Sequence, residues 1–115
     1  MTSKAETFRR ERERLNDAVH AHKNKNIARF FRLDGAAYED GALDPKTKEL
    51  AGLAASMVLR CDDCISYHLL RCKELEVSDE ELMEIMNVGL IVGGSIVIPH
   101  LRRAVDLLDE LKQDG

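Results

Sequence analysis

Apolar side chains recur along this chain at the three-to-four-residue spacing of α-helices. Ser3 followed by Glu6 fits a capping box, so the first helix is expected from Lys4, with Phe8, Leu15, Val19 and His22 on one face. The polar run Lys23-Asn24-Lys25-Asn26 interrupts that pattern. A short second helix is expected over 27–33, stopped by Asp34-Gly35, with an irregular connection over 36–41. Asp44 then offers an N-cap and Pro45 suits the first helical position, where its missing N–H is not needed. Leu50, Leu53, Ala54, Met57 and Val58 follow on one face, and nothing in Arg60-Cys61 forces a stop. Local sequence therefore allows one long helix over 46–75. Ser78 and Glu81 form a second capping box, opening a helix that ends at Gly93-Gly94 or there lets another backbone approach. The last helix starts near Ser95 or Pro99 and carries Leu101, Val105, Leu108 and Leu111 on one face.

The pattern is that of an all-α chain, and composition agrees. The 115 residues suffice for one domain, and only seven Gly and two Pro punctuate them. With no Trp and few other aromatics, the core must be aliphatic. Residues 85–98 are apolar on nearly every side, and a helix of that kind must be covered all round. A chain this small has few elements to cover it, so self-association is expected.

Charge divides the chain into an arm over 1–34 and a body over 35–115. The arm carries nine basic and five acidic side chains, while the body carries eight and sixteen. The arm's charges interleave at helical spacing, with Glu6–Arg10 and Arg9–Glu13 as candidate i,i+4 pairs. That reads as a solvated helix face docking on an acidic body, its own or a neighbouring subunit's, rather than as a nucleic-acid site. The stretch Thr-Phe-Arg-Arg-Glu-Arg-Glu-Arg after residue 6 is unlike a secretory signal. The longest apolar stretch falls well short of the ~20 residues of a membrane span. A cytoplasmic protein without membrane contact is expected, in which a close-spaced cysteine pair marks redox or metal chemistry rather than a disulfide framework.

That pair is Cys61-Asp62-Asp63-Cys64-Ile65-Ser66-Tyr67-His68. On a helix, Cys61, Cys64 and His68 form one stripe, and Cys64 lies one turn from His68, near enough for a base-activated thiol. Cys-x-x-Cys closes readily into a disulfide and can lower one thiol pKa, while Asp62 and Asp63 oppose a thiolate. Zinc is the rival reading, through Cys61, Cys64, His68 and Cys72. Eleven helical residues span roughly 16 Å, too far for ligands that lie about 2 Å from one ion. Cys72 is therefore read as a core or near-site thiol. Covalent haem attachment is excluded because Ile65, not His, follows Cys64, and no phosphate loop or Gly-x-Gly-x-x-Gly is present. No cofactor and no bound metal are expected. His100, after Pro99, packs or caps at a helix start, or lines a pocket. Glu49 would lie roughly 18 Å from Cys61 in one continuous helix. It reaches His68 only if the chain reverses near Arg60.

From Gly41 to Leu108 the chain resembles the alkylhydroperoxidase D-like branch of the carboxymuconolactone decarboxylase superfamily. The resemblance rests on Gly41-Ala42-Leu43-Asp44-Pro45, on the spacing Glu49-x11-Cys61-x2-Cys64-x3-His68, on the Ser78-Asp79-Glu80-Glu81-Leu82 helix start, and on Gly93-Gly94-Ser95 through Pro99-His100. It implies an all-α fold in which Glu-bearing and Cys-bearing helices pack antiparallel, with a break near Arg60. Homotrimers or homohexamers are implied too. By similarity Cys64 attacks a hydroperoxide, Cys61 resolves the sulfenic acid, His68 shuttles the proton and Glu49 orients or recharges it. The implied partners are a hydroperoxide or disulfide substrate and an external dithiol reductant, lipoyl-bearing or thioredoxin-like. A zinc-binding structural or regulatory module, and a non-redox lyase of the wider superfamily, are the alternatives. The lactone-decarboxylating branch lacks the cysteine pair, and the Asp62-Asp63 insert departs from the more neutral insert of many members.

Overall fold

The structure, a computed structural model, describes residues 3–114. Six α-helices follow one another: α1 (Lys4–Ala21), α2 (Lys25–Ala37), α3 (Pro45–Leu59), α4 (Asp62–Glu74), α5 (Asp79–Gly93) and α6 (Ile98–Asp114), with a 3₁₀ turn over Ser95–Val97 before the last. Among the described residues none is in a strand.

The caps explain most boundaries. Ser3, Asp44 and Ser78 each accept a hydrogen bond from the backbone N–H three residues on, and the Glu81 carboxylate in turn accepts one from the Ser78 N–H. Asn24 does the same for α2, accepting from Ile27 N at 3.0 Å. The polar run read as a mere interruption thus supplies a cap, and α2 begins at Lys25 rather than 27. Nor does Asp34-Gly35 stop it. A helical glycine costs only about 1 kcal/mol relative to alanine, and the helix continues to Ala37, across the expected arm–body boundary at 34/35.

The expectation of an unbroken helix over 46–75 fails at Arg60, which takes the left-handed conformation (φ 57°, ψ 42°). Arg60 N–H donates to Met57 O at 3.0 Å and Cys61 N–H to Ser56 O at 3.2 Å. This two-bond closure satisfies the last carbonyls of α3 and turns the chain back. It is built without the usual glycine, so the sequence does not advertise it.

α3 lies at the centre, against both α4 and α5. Its Leu53 and Met57 meet Ile65, Leu69 and Cys72 of α4, Leu82 and Met86 of α5, and Leu107 and Leu108 of α6 in one buried cluster. Gly89 permits the α3–α5 approach, since a Cβ there would lie 2.8 Å from Met57 Cβ and 3.2 Å from the Ala54 carbonyl. Gly94, at φ +85°, makes the turn out of α5.

α1 is held at its start. Ala5 is buried, Phe8 packs on the core, Lys4 pairs with Asp106, and Arg9 reaches Glu74 at 3.6 Å. The basic arm therefore docks on the acidic body of its own chain. Arg14–Glu11 is its internal pair, and the anticipated Arg9–Glu13 pairing gives way to Arg9–Glu74. Leu15 and Val19 remain exposed because the C-terminal half of α1 stands over a groove rather than on the core. Val88, Ile91, Val92 and Ile96 are likewise uncovered by the single chain. No helix among the described residues is long and apolar enough to cross a membrane.

Candidate active site

The reversal at Arg60 sets α3 and α4 side by side, and the site forms across that seam. Cys61 is the N-cap of α4, and its Sγ accepts from Cys64 N–H at 3.2 Å. Cys64 stands at the third position of the first turn, exposed, with the helix's free N–H groups beneath it. That location favours a negative sulfur by about 0.3–1 kcal/mol, less than one pKa unit. Cys61 and Cys64 are joined as a disulfide with Cα atoms 5.3 Å apart.

One turn on, His68 is almost wholly buried, and its Nδ1 lies 2.7 Å from Glu49 Oε2. A carboxylate only accepts, so Nδ1 donates and Nε2 is left as the basic nitrogen. Arg71 Nε stands 3.7 Å from the other Glu49 oxygen and balances its charge. His68 also presses against backbone. A Cβ on Gly52 would lie 2.7 Å from His68 Cε1 and 3.0 Å from both ring nitrogens. Four neighbours fix the imidazole: Glu49, Gly52, and the Tyr67 and Tyr38 rings at 5.2 and 5.5 Å. Burial, followed by the charge of Glu49, pushes the Tyr38 phenol above its ordinary range, so it stays neutral at physiological pH.

The thiol and imidazole face one cavity of about 180 Å3, lined by Arg12, Asp34, Asp63, Cys64, Tyr67 and His68. Arg12, Asp34 and Tyr67 also line a larger groove of about 740 Å3 between the arm and α4, so the two adjoin. The Arg12 guanidinium lies 4.0 Å from the Tyr67 ring centre. The acidic pair splits. Asp62 turns away to His100 Nδ1 (2.7 Å) and Arg103 (2.9 Å) on α6, while Asp63 stays on the cavity rim. His100 therefore ties two helix starts together and does not line the cavity.

Cys72 is fully buried in the core, and burial, ahead of the nearby Glu49, pushes its thiol up to about 12. It belongs to the core cluster, as expected of a core thiol. Among the described residues no three His, Cys, Asp or Glu side chains are grouped to hold a metal ion. After full reduction, two cysteines are expected to take iodoacetamide at pH 8 in the native protein, with Cys72 reacting only once the chain is unfolded. Native modification of Cys72, read by peptide mass analysis, would contradict its placement.

Residues 26–107 match the carboxymuconolactone decarboxylase family. The chain belongs to that family. An uncharacterised Paracoccus denitrificans protein of a cox locus is 30% identical over 82 residues, covering 71% of this chain and 74% of its own. Two crystal structures of one Thermotoga maritima protein are 57% identical to this chain. They cover 93% of this chain and 94% and 91% of theirs, with TM-scores of 0.91 and 0.88. The second is described as a family member with a suggested involvement in antioxidative response. An apo structure of a Legionella pneumophila member, 28% identical over 97% of both chains, superimposes with a TM-score of 0.80. The fold expected from the resemblance is thus the family's own.

All four residues singled out in the sequence, Cys61, Cys64, His68 and Glu49, come together. Arg12, Gly52 and Tyr67 escaped notice. Tyr67 adjoins the motif directly, but Gly52 and Arg12 acquire meaning only once α3 and α1 fold onto α4. The family match begins after α1, so Arg12 is contributed by a part of the chain outside it.

Proposed function

We propose that this family member is a thiol-dependent peroxidase, or disulfide oxidoreductase, cycling Cys61 and Cys64. What carries the reading is the meeting, in one cavity, of an exposed Cys64 at a helix start and a His68 whose tautomer Glu49 sets, with Cys61 bonded to Cys64 from just outside the lining. In the reduced protein His68 Nε2 takes the Cys64 proton. The thiolate attacks the terminal oxygen of a hydroperoxide, the O–O bond breaks, and the departing alkoxide takes the proton back from His68. Cys64 is then a sulfenic acid. Cys61 attacks its sulfur, an S–S bond forms, and water leaves. An external dithiol, lipoyl-bearing or thioredoxin-like, supplies two electrons through a mixed disulfide and departs as its own disulfide. Such a pair, returned to the dithiol each cycle, suits the cytoplasm. The exposed Val88, Ile91, Val92 and Ile96 support assembly as a homotrimer or homohexamer. Neither nucleic acid nor membrane enters the proposal.

The reduced protein is expected to consume cumene hydroperoxide in the presence of dithiothreitol, and the double variant C61S/C64S to add nothing to the uncatalysed rate. Undiminished consumption by the double variant would sink the reading. Turnover of a lactone by that variant would establish the lyase alternative.

A further inference from the structure

We propose that Arg12, from the N-terminal arm, is the counter-charge that holds Cys64 as a thiolate. The inference rests on the reading of Cys64 as the attacking thiol and adds a positioning residue to it. Of the six side chains lining the thiol cavity, Arg12 alone carries a permanent positive charge. It lines the larger groove as well, and a third cavity on its other side. Its guanidinium lies over Tyr67, which shares a helix face with Cys64 one turn earlier, so the cation stands above the sulfur's side of α4.

Neighbouring cations are committed elsewhere. Arg9 pairs with Glu74, Arg14 with Glu11, Arg71 with Glu74 and Glu49, and Arg103 with Asp62. Arg12 makes no ion pair with any described residue, and the Tyr67 ring is its partner. The anions are distributed unevenly. Asp62 is satisfied by His100 and Arg103, and Glu49 by His68 and Arg71, whereas Asp34 and Asp63 remain on the cavity wall. Both disfavour a thiolate, and the positive charge His68 gains on taking the Cys64 proton is offset by the Glu49 carboxylate beside it. The helix N-terminus and Arg12 are what oppose them. The arm thereby completes the site, and its removal would leave Cys64 among carboxylates.

The test is the pH profile of Cys64 alkylation by iodoacetamide in fully reduced wild type, R12Q and R12K, read by peptide mass analysis at low and high salt. Removing the charge in R12Q is expected to raise the midpoint by about one pH unit, cutting the Cys64 rate at pH 7 several-fold. R12K keeps the charge and stays near wild type. Salt narrows the difference between wild type and R12Q, because it screens the attraction of Arg12 in the one and the repulsion of the carboxylates in both. An unchanged midpoint in R12Q overturns the proposal, as does an R12K midpoint displaced as far as that of R12Q, which would make the effect one of packing. Alkylation requires no peroxide, so a shifted midpoint in a protein without peroxidase activity upholds the role of Arg12 while the proposed function falls.

Discussion

Replacing Cys64 with serine is expected to reduce peroxide consumption to the rate of dithiothreitol alone, while C61S stops one step later. The two cysteines differ in place, not in kind. Cys64 is exposed on the cavity and one turn from the His68 base, whereas Cys61 is half-buried at the N-cap and lies outside the cavity lining. A serine at 64 cannot be oxidised by the peroxide, and its hydroxyl is far too weak an acid for His68 to activate usefully. In C61S, reduced and then freed of dithiothreitol, the first attack proceeds, one equivalent of peroxide is consumed, and the sulfenic acid persists without its resolving thiol. Dimedone should therefore label Cys64 in C61S and nothing in C64S. Labelling of Cys61 in C64S, with turnover retained, would reverse the assignment. Both substitutions are nearly isosteric, Cys64 is exposed, and at the Cys61 N-cap serine is itself a good cap, so loss of folding is not the expected cause.

The second large effect falls on a residue with no side chain. Gly52→Ala is expected to lower turnover by about 10²–10⁴-fold, the usual worth of a positioned acid–base group. Two forces compete. Alanine inside a helix is favoured over glycine by about 1 kcal/mol, which alone would stabilise α3. Against it, the new Cβ would stand 2.7 Å from His68 Cε1 and 3.0 Å from the Nδ1 that Glu49 holds. Overpacking of this kind costs about 1–3 kcal/mol, so the ring is displaced and the Nδ1–Glu49 bond is strained or lost. The prediction is a folded protein, its melting temperature lowered by a few degrees, whose Cys64 has lost its base. Circular dichroism together with the pH dependence of turnover separates this from simple unfolding. Wild-type kinetics in Gly52→Ala would show that the imidazole has room to spare.

How far these residues could be read in advance depended on the range of the interaction that defines each. Asp44-Pro45 and Ser78-x-x-Glu81 act through bonds three residues long, and both helices start where those residues say. The Cys-x-x-Cys-x3-His stripe is equally local. The meeting of Glu49 with His68 is not, because it needs the turn at Arg60, where an arginine occupies a conformation that ordinarily calls for glycine. Family resemblance supplied that turn, while local propensity argued for a continuous helix. Asn24 sits in a polar run that suggests a break, yet it accepts from Ile27 N–H and caps the next helix, and Gly35 alone costs too little to stop that helix. Asp62 looked like a burden on the thiol until α6 brought His100 and Arg103 to it. Gly52 and Arg12 lay beyond sequence altogether. One matters for the space it leaves and the other for where a separate helix comes to rest.

The central claim is that hydroperoxide drives a disulfide between Cys61 and Cys64. Its most direct test is intact mass and free-thiol count on anaerobically reduced protein, before and after one equivalent of cumene hydroperoxide, with metal content measured on the same sample. The account predicts the loss of two hydrogens and two thiols in wild type, leaves Cys72 free, and predicts no such change in Cys64→Ser. Unchanged thiols in a protein carrying stoichiometric zinc would contradict it and make the motif a metal site.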